Sequence, residues 1–135
     1  MNEVNGLVTV ESPLDAAATI HWLETTLAAK GATVFAKIDH AAGAQAVGLP
    51  LGPTTVLIYG NAQAGTKLMQ IDPRIGIDLP LKLLVWTDGN GKTHVSFNGP
   101  VWVAARFSIT PETAPVLTAM RSMLQGLTEG LAAAR

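Results

Sequence analysis

The chain has 135 residues and a mass of 14.1 kDa, enough for one domain that holds its own core. Its net charge is −1 with a pI near 6.3, and its acidic and basic residues alternate without runs, so it lacks the electrostatic footprint that nucleic acid or an anionic membrane surface would require. The absence of cysteine excludes a disulfide framework, thiolate catalysis and sulfur-ligated zinc or iron–sulfur sites.

Residues 6–11, GLVTVE, read as a first strand. The SPLD that follows predicts a helix with Ser12 as N-cap, Pro13 at the first helical position and Asp15 near the positive helix end. Ala16, Ile20, Leu23 and Leu27 form one apolar stripe along that helix, and Gly31 is placed to end it in a left-handed turn. ATVFAKID (32–39) is a second strand, HAAGAQAVG (40–48) a short helix or turn, and TTVLIY (54–59) a third strand. TKLMQI is expected to make only a turn or two of helix before Pro73, and LKLLVWTD (81–88) to form a fourth strand. Asn90-Gly91 predicts a type I′ hairpin into THVSFN (93–98). With those two residues at the loop centre, Trp86 pairs with Val95 and Leu84 with Phe97 on one face, leaving His94, Ser96 and Asn98 on the other. PVWVAARF (100–107) suits a short helix, and a last helix starting near Thr113 carries Leu117, Met120, Leu124, Leu127 and Leu131 at alternating spacings of three and four. The expected fold is α+β: a two-layer sandwich with a four- to five-stranded, mainly antiparallel sheet and helices packed on one face.

Gly60-Asn61-Ala62-Gln63-Ala64-Gly65-Thr66-Lys67 resembles a nucleotide phosphate loop, but Thr66 and Lys67 stand in reversed order. One step along a helix turns a side chain by about 100°, which aims Lys67 away from a phosphate cradle. No nucleotide is expected there.

VFAKIDHAAGA, LIYGNAQAGTKLMQ, DLPLKLLVW and VSFNGPVW, in this order and spacing, resemble the family known as domain of unknown function 302. The resemblance covers roughly residues 7–109 and the last helix. It implies a compact bacterial or archaeal α+β domain, commonly dimeric, with no established activity. The family loop typically reads Gly-Asn-Pro followed by Gly-Thr-Pro; this chain has Ala62 and Lys67 at the proline positions.

Candidate ligand-binding residues are Asp39, His40, Gly60, Asn61, Gly65, Thr66 and Asn98, polar groups and glycines gathered at strand ends of an otherwise apolar chain. Asp39 also suits a helix cap, and Asn61 and Thr66 also suit local turn-holding bonds. The site, if present, is expected where the Asp39-His40 segment meets the Gly60-Asn61 loop. The expected function is a small homodimeric ligand-binding or sensory module; the alternatives are an enzyme using His40 as general acid or base, or a metal- or haem-handling protein. Hydrophobic residues make up 48% of the chain and mean hydropathy is +0.31, which points to a partner subunit covering excess apolar surface. Gly126 and Gly130 on the last helix offer one route to that contact. His21, His40 and His94 show no metal-binding spacing, and no cofactor is expected. With neither a secretory signal at the N-terminus nor an apolar run near the ~18 residues of a membrane span, a soluble cytoplasmic protein is expected, with no membrane partner.

Overall fold

Along TTVLIYG the burial alternates residue by residue: Thr55, Leu57 and Tyr59 are buried, while the residues between them are half-buried. This is a strand with one face on a core and one not, and it sets the pattern of the whole sheet. A computed structural model describes residues 2–135. Six strands are present, β1 (Asn2–Val4), β2 (Leu7–Ser12), β3 (Thr33–Asp39), β4 (Thr54–Gly60), β5 (Leu81–Thr87) and β6 (Thr93–Asn98), in the order β1-β2-β6-β5-β4-β3. Every neighbouring pair is antiparallel. The expected α+β class is correct, with six strands in place of four or five; the extra one is β1, a three-residue strand too short to show periodicity.

The helices are α1 (Ala16–Ala29), α2 (His40–Ala46), α3 (Ala62–Ile71), α4 (Pro100–Ala105) and α5 (Val116–Ala132), with a 3₁₀ turn at Pro73–Ile77. Asp15, not Ser12, caps α1: its carboxylate accepts from the Ala18 amide at 2.8 Å. Ser12 ends β2 instead, buried, with its hydroxyl 2.6 Å from that of Thr19. Gly31 takes φ +80° just beyond α1, as expected of a helix-ending glycine. Helix α3 runs for ten residues, longer than the turn or two expected, because Asn61 caps it and Pro73 lies beyond its end. Helix α5 starts at Val116, three positions later than expected, after the residues preceding Pro115 form a turn closed by Thr110 and Thr113.

Leu23 and Leu27 of α1 and Leu124, Leu127 and Leu131 of α5 pack on Leu57, Leu83, Val85, Val95 and Phe97 of the sheet to form the main core. A second cluster, Leu68, Ile75, Ala104, Ile109, Ala114 and Leu117, joins α3, the 3₁₀ turn, α4 and the start of α5. The glycines of α5 are accounted for within the chain. A Cβ at Gly130 would sit 3.2 Å from the Trp22 ring of α1, and one at Gly126 3.7 Å from Lys30 Nζ. Gly130 thus admits Trp22 of α1, while both glycines remain exposed on α5.

The hairpin register differs from expectation by one residue. Trp86 pairs with His94, Val85 with Val95 and Leu84 with Ser96. The cause is Asp88, whose carboxylate accepts from the Asn90 and Lys92 amides at 2.8 and 3.0 Å. The Asp88 carbonyl accepts from the Gly91 amide, and Gly91 alone, at φ +80°, is left-handed. The result is a wider turn ending in a left-handed glycine, in place of a two-residue type I′ loop. Because strand periodicity is two, the slip moves Trp86 to the same face as His94 and Ser96, the face away from the helices.

Candidate functional site

Asp39 and Asn61 use the same local device at the ends of β3 and β4. The Asp39 carboxylate accepts from the Ala42 amide at 2.9 Å and caps α2. The Asn61 carboxamide oxygen accepts from the Gln63 and Ala64 amides at 2.9 and 3.2 Å and caps α3. The two segments do not meet. Thr33 pairs with Gly60 while Asp39 pairs with Thr55, so they lie at opposite ends of β4, five residues or roughly 17 Å apart along the strand. Strand ends that follow each other in sequence converge only when the strands are parallel; here β3 and β4 are antiparallel. His40 is exposed at the start of α2, and its side chain makes no hydrogen bond or ion pair among the described residues. The expected joint site at Asp39-His40 and Gly60-Asn61 is therefore corrected to two separate strand ends. Asn98 ends β6 on the same side of the sheet as Gly60, exposed, with β5 lying between them.

Four of the expected residues do come together. Gly60, Asn61, Gly65 and Thr66 line a cleft of about 240 Å³ on one flank of α3, walled by Phe35, Met69 and Leu79. On the other flank, between α3 and α5, lies a second cleft of about 250 Å³ that Gly60 and Asn61 share with Tyr59, Gln63, Lys67 and Met123. The residues between Gly60 and Gly65 are a cap and a helical turn, with no open cradle of amides for phosphate, and Lys67 is exposed on the helix.

Tyr59 is the residue that sequence reasoning passed over. Its side chain is only 2% exposed, and its hydroxyl has no hydrogen-bond partner among the described residues. Burial pushes that hydroxyl far above the ordinary tyrosine range, so it stays protonated and able to donate. The alternation of TTVLIY places Tyr59 inward with Leu57, but no sequence signal tells whether a buried hydroxyl has a partner.

A second polar group lies on the open face of the sheet. His94 Nε2 stands 2.7 Å from Asp88 Oδ2, and its ring stacks on Trp86 at 4.5 Å between centroids. Trp86 Nε1 donates to Ser96 Oγ at 2.9 Å, and Ser96 Oγ lies 2.8 Å from Thr9 Oγ1. The bond from His94, then the Lys92 amide, holds the Asp88 carboxyl below the usual carboxylate range. The one-residue register slip hid this group, since the expected pairing set Trp86 and His94 on opposite faces.

The six-stranded antiparallel sheet with its helices on one face is the fold of a solved protein, an uncharacterized conserved protein from Bacillus stearothermophilus described as DUF302. It superposes with a TM-score of 0.84 at 22% identity, over 93% of this chain and 98% of that one. The family model described as "Domain of unknown function DUF302" matches residues 8–127, and the chain belongs to that family. It is also 47% identical over 105 residues to proteins named fluoride-specific ion channel FluC 1 in Brucella suis and in Brucella abortus. Those matches take in 78% of this chain but only 41% and 39% of the relatives, so the chain spans about two fifths of their length. No helix among the described residues is long and apolar enough to cross a membrane.

Proposed function

We propose that this protein is a small homodimeric ligand-binding or sensory module, working in the cytoplasm, whose ligand enters the cleft between α3 and α5. The observation that carries the reading is Tyr59, a residue that lines that cleft and whose hydroxyl is buried with no hydrogen-bond partner among the described residues. Leaving such a group unsatisfied costs about 1–3 kcal/mol, and phenylalanine would fill the same space without the cost. A hydroxyl kept there under that cost is explained by a molecule that accepts its hydrogen bond. Asn61, Gln63 and Lys67 at the mouth and Met120 and Met123 on the wall suit a small molecule with an apolar body and one polar end. In the relatives named as fluoride-specific ion channels the matched segment is a minor part of the protein, an arrangement that suits an accessory sensing domain.

Native mass spectrometry of freshly purified protein tests the reading. A retained molecule present in wild type and lost in Tyr59→Phe is the expected result; identical ligand-free spectra for both would oppose it. A catalytic role, as a second reading, falls to His94, since His94 has the close carboxylate that His40 lacks. Hydrolysis of a nitrophenyl ester by wild type and not by His94→Gln would favour it.

A further inference from the structure

A third cleft, which shares no residue with the two that flank α3, opens where the β1–β2 hairpin, α4 and α5 meet. Its volume is about 510 Å³, within the range of small-molecule sites. Buried Val8, Phe97 and Leu124 form an apolar floor. Trp102 lines the cleft as well and is 52% exposed, although tryptophan is among the more deeply covered side chains on average.

The hairpin holds that indole in place. Asn5 and Gly6 both take positive φ, 51° and 82°, and close β1 onto β2 in a two-residue turn of type I′ between paired Val4 and Leu7. A Cβ at Gly6 would fall 2.1 Å from Trp102 Cγ, so glycine is what lets the turn lie directly against the ring. The Gly99 amide donates to the Gly6 carbonyl at 2.8 Å and pins the turn to the start of α4. Backbone contact thus fixes the ring while half of it stays open, a rigid wall for an apolar or aromatic group.

Two opposite charges line the same cleft, Glu3 and Arg121. Arg74 and Arg106 each hold an aspartate, at 2.7 and 3.3 Å, whereas neither Arg121 nor Glu3 makes an ion pair, with each other or with any other group among the described residues. Gln125 lies one helical turn beyond Arg121, and its amide nitrogen donates to Glu129 Oε1 at 3.2 Å, which leaves its oxygen as an acceptor. The guanidinium fork of Arg121 matches a carboxylate, and the Glu3 carboxylate with the Gln125 oxygen matches an ammonium. A simple anion would be repelled by Glu3 and a simple cation by Arg121, whereas a molecule carrying both charges satisfies both.

We propose that this cleft binds a free α-amino acid with a large apolar side chain. Its carboxylate lies on Arg121, its ammonium faces Glu3 and Gln125, and its side chain covers the floor beside Trp102.

Isothermal titration calorimetry of the full chain with L-phenylalanine should give a one-site isotherm with a Kd of about 1 mM or tighter. Arg121→Gln and Glu3→Gln, both at exposed positions, should each weaken it about tenfold. 3-Phenylpropionate keeps the ring and carboxylate but lacks the ammonium; it should bind wild type about tenfold more weakly, and Glu3→Gln should remove that preference. Tyr59→Phe should leave the titration unchanged, which separates this site from the cleft between α3 and α5. No saturable heat from L-phenylalanine or L-leucine at about 10 mM overturns the site. So does binding that survives both charge substitutions, or binding lost in Tyr59→Phe. 3-Phenylpropionate binding wild type as tightly as L-phenylalanine overturns the assignment to an amino acid.

Discussion

Leu83 and Leu84 are adjacent leucines on β5 in opposite circumstances. Leu83 is fully buried against Leu23, Leu27 and their neighbours, whereas Leu84 stands half-buried on a face that no helix of this chain closes. Both faces carry apolar residues, although the open one interleaves them with Thr9, Glu11, Lys82, His94 and Ser96. What separates them is which side α1 and α5 cross.

The widest gap between the faces lies in truncation. Leu83→Ala should cost about 2–5 kcal/mol by chemical denaturation, as a cavity in a closed core does, whereas Leu84→Ala should cost under about 1 kcal/mol in the isolated chain. Next in size are the two caps. Asp39→Ala and Asn61→Ala should each cost about 1 kcal/mol, while only Asn61→Ala also weakens retention of any bound molecule. His40→Ala should change neither. Tyr59→Phe should leave the ligand-free protein equally stable or raise its midpoint slightly, since it deletes an unpartnered hydroxyl from the covered side. The smallest effect belongs to Asp88. Its folded-state pKa lies below its unfolded value, so its contribution is fully present above the ordinary carboxylate range and is lost as pH falls through the folded value. Asp88→Asn should flatten the acid limb of a stability–pH profile measured between about pH 5 and pH 2. An unchanged limb would mean that the His94 bond is not formed in solution.

The strands, the antiparallel sheet and the helix stripes could be read from the chain because each rests on a local period. The stop at Gly31 and the cap at Asp39 could be read for the same reason, as side-chain chemistry within a few residues. Errors arose where two local devices competed. Ser12 and Asp15 can both cap a helix, and the buried bond to Thr19 decides for Asp15. Asn90-Gly91 favours a tight turn, and the Asp88 carboxylate overrides it. The candidate site failed in part for a global reason: strand direction, not strand membership in one sheet, decides whether Asp39 and Asn61 meet. Gly60, Asn61, Gly65 and Thr66 were found together because they are neighbours in sequence. The Tyr59 hydroxyl was missed because lacking a partner is a property of the whole packed interior.

The strand order also bears on how the chain reaches its native state. Strand β2 pairs with β6, so Leu7 finds Asn98 about ninety positions later, and the pairing must close a long stretch of intervening chain. By contrast, β3 through β6 pair in sequence order and can assemble as a unit. During synthesis β2 therefore leaves the ribosome long before β6 exists, with Val8 and Val10 waiting for that side of their packing. Non-local β pairing closes on roughly the millisecond-to-second scale, so this seam is expected to be the slowest part of the sheet to form.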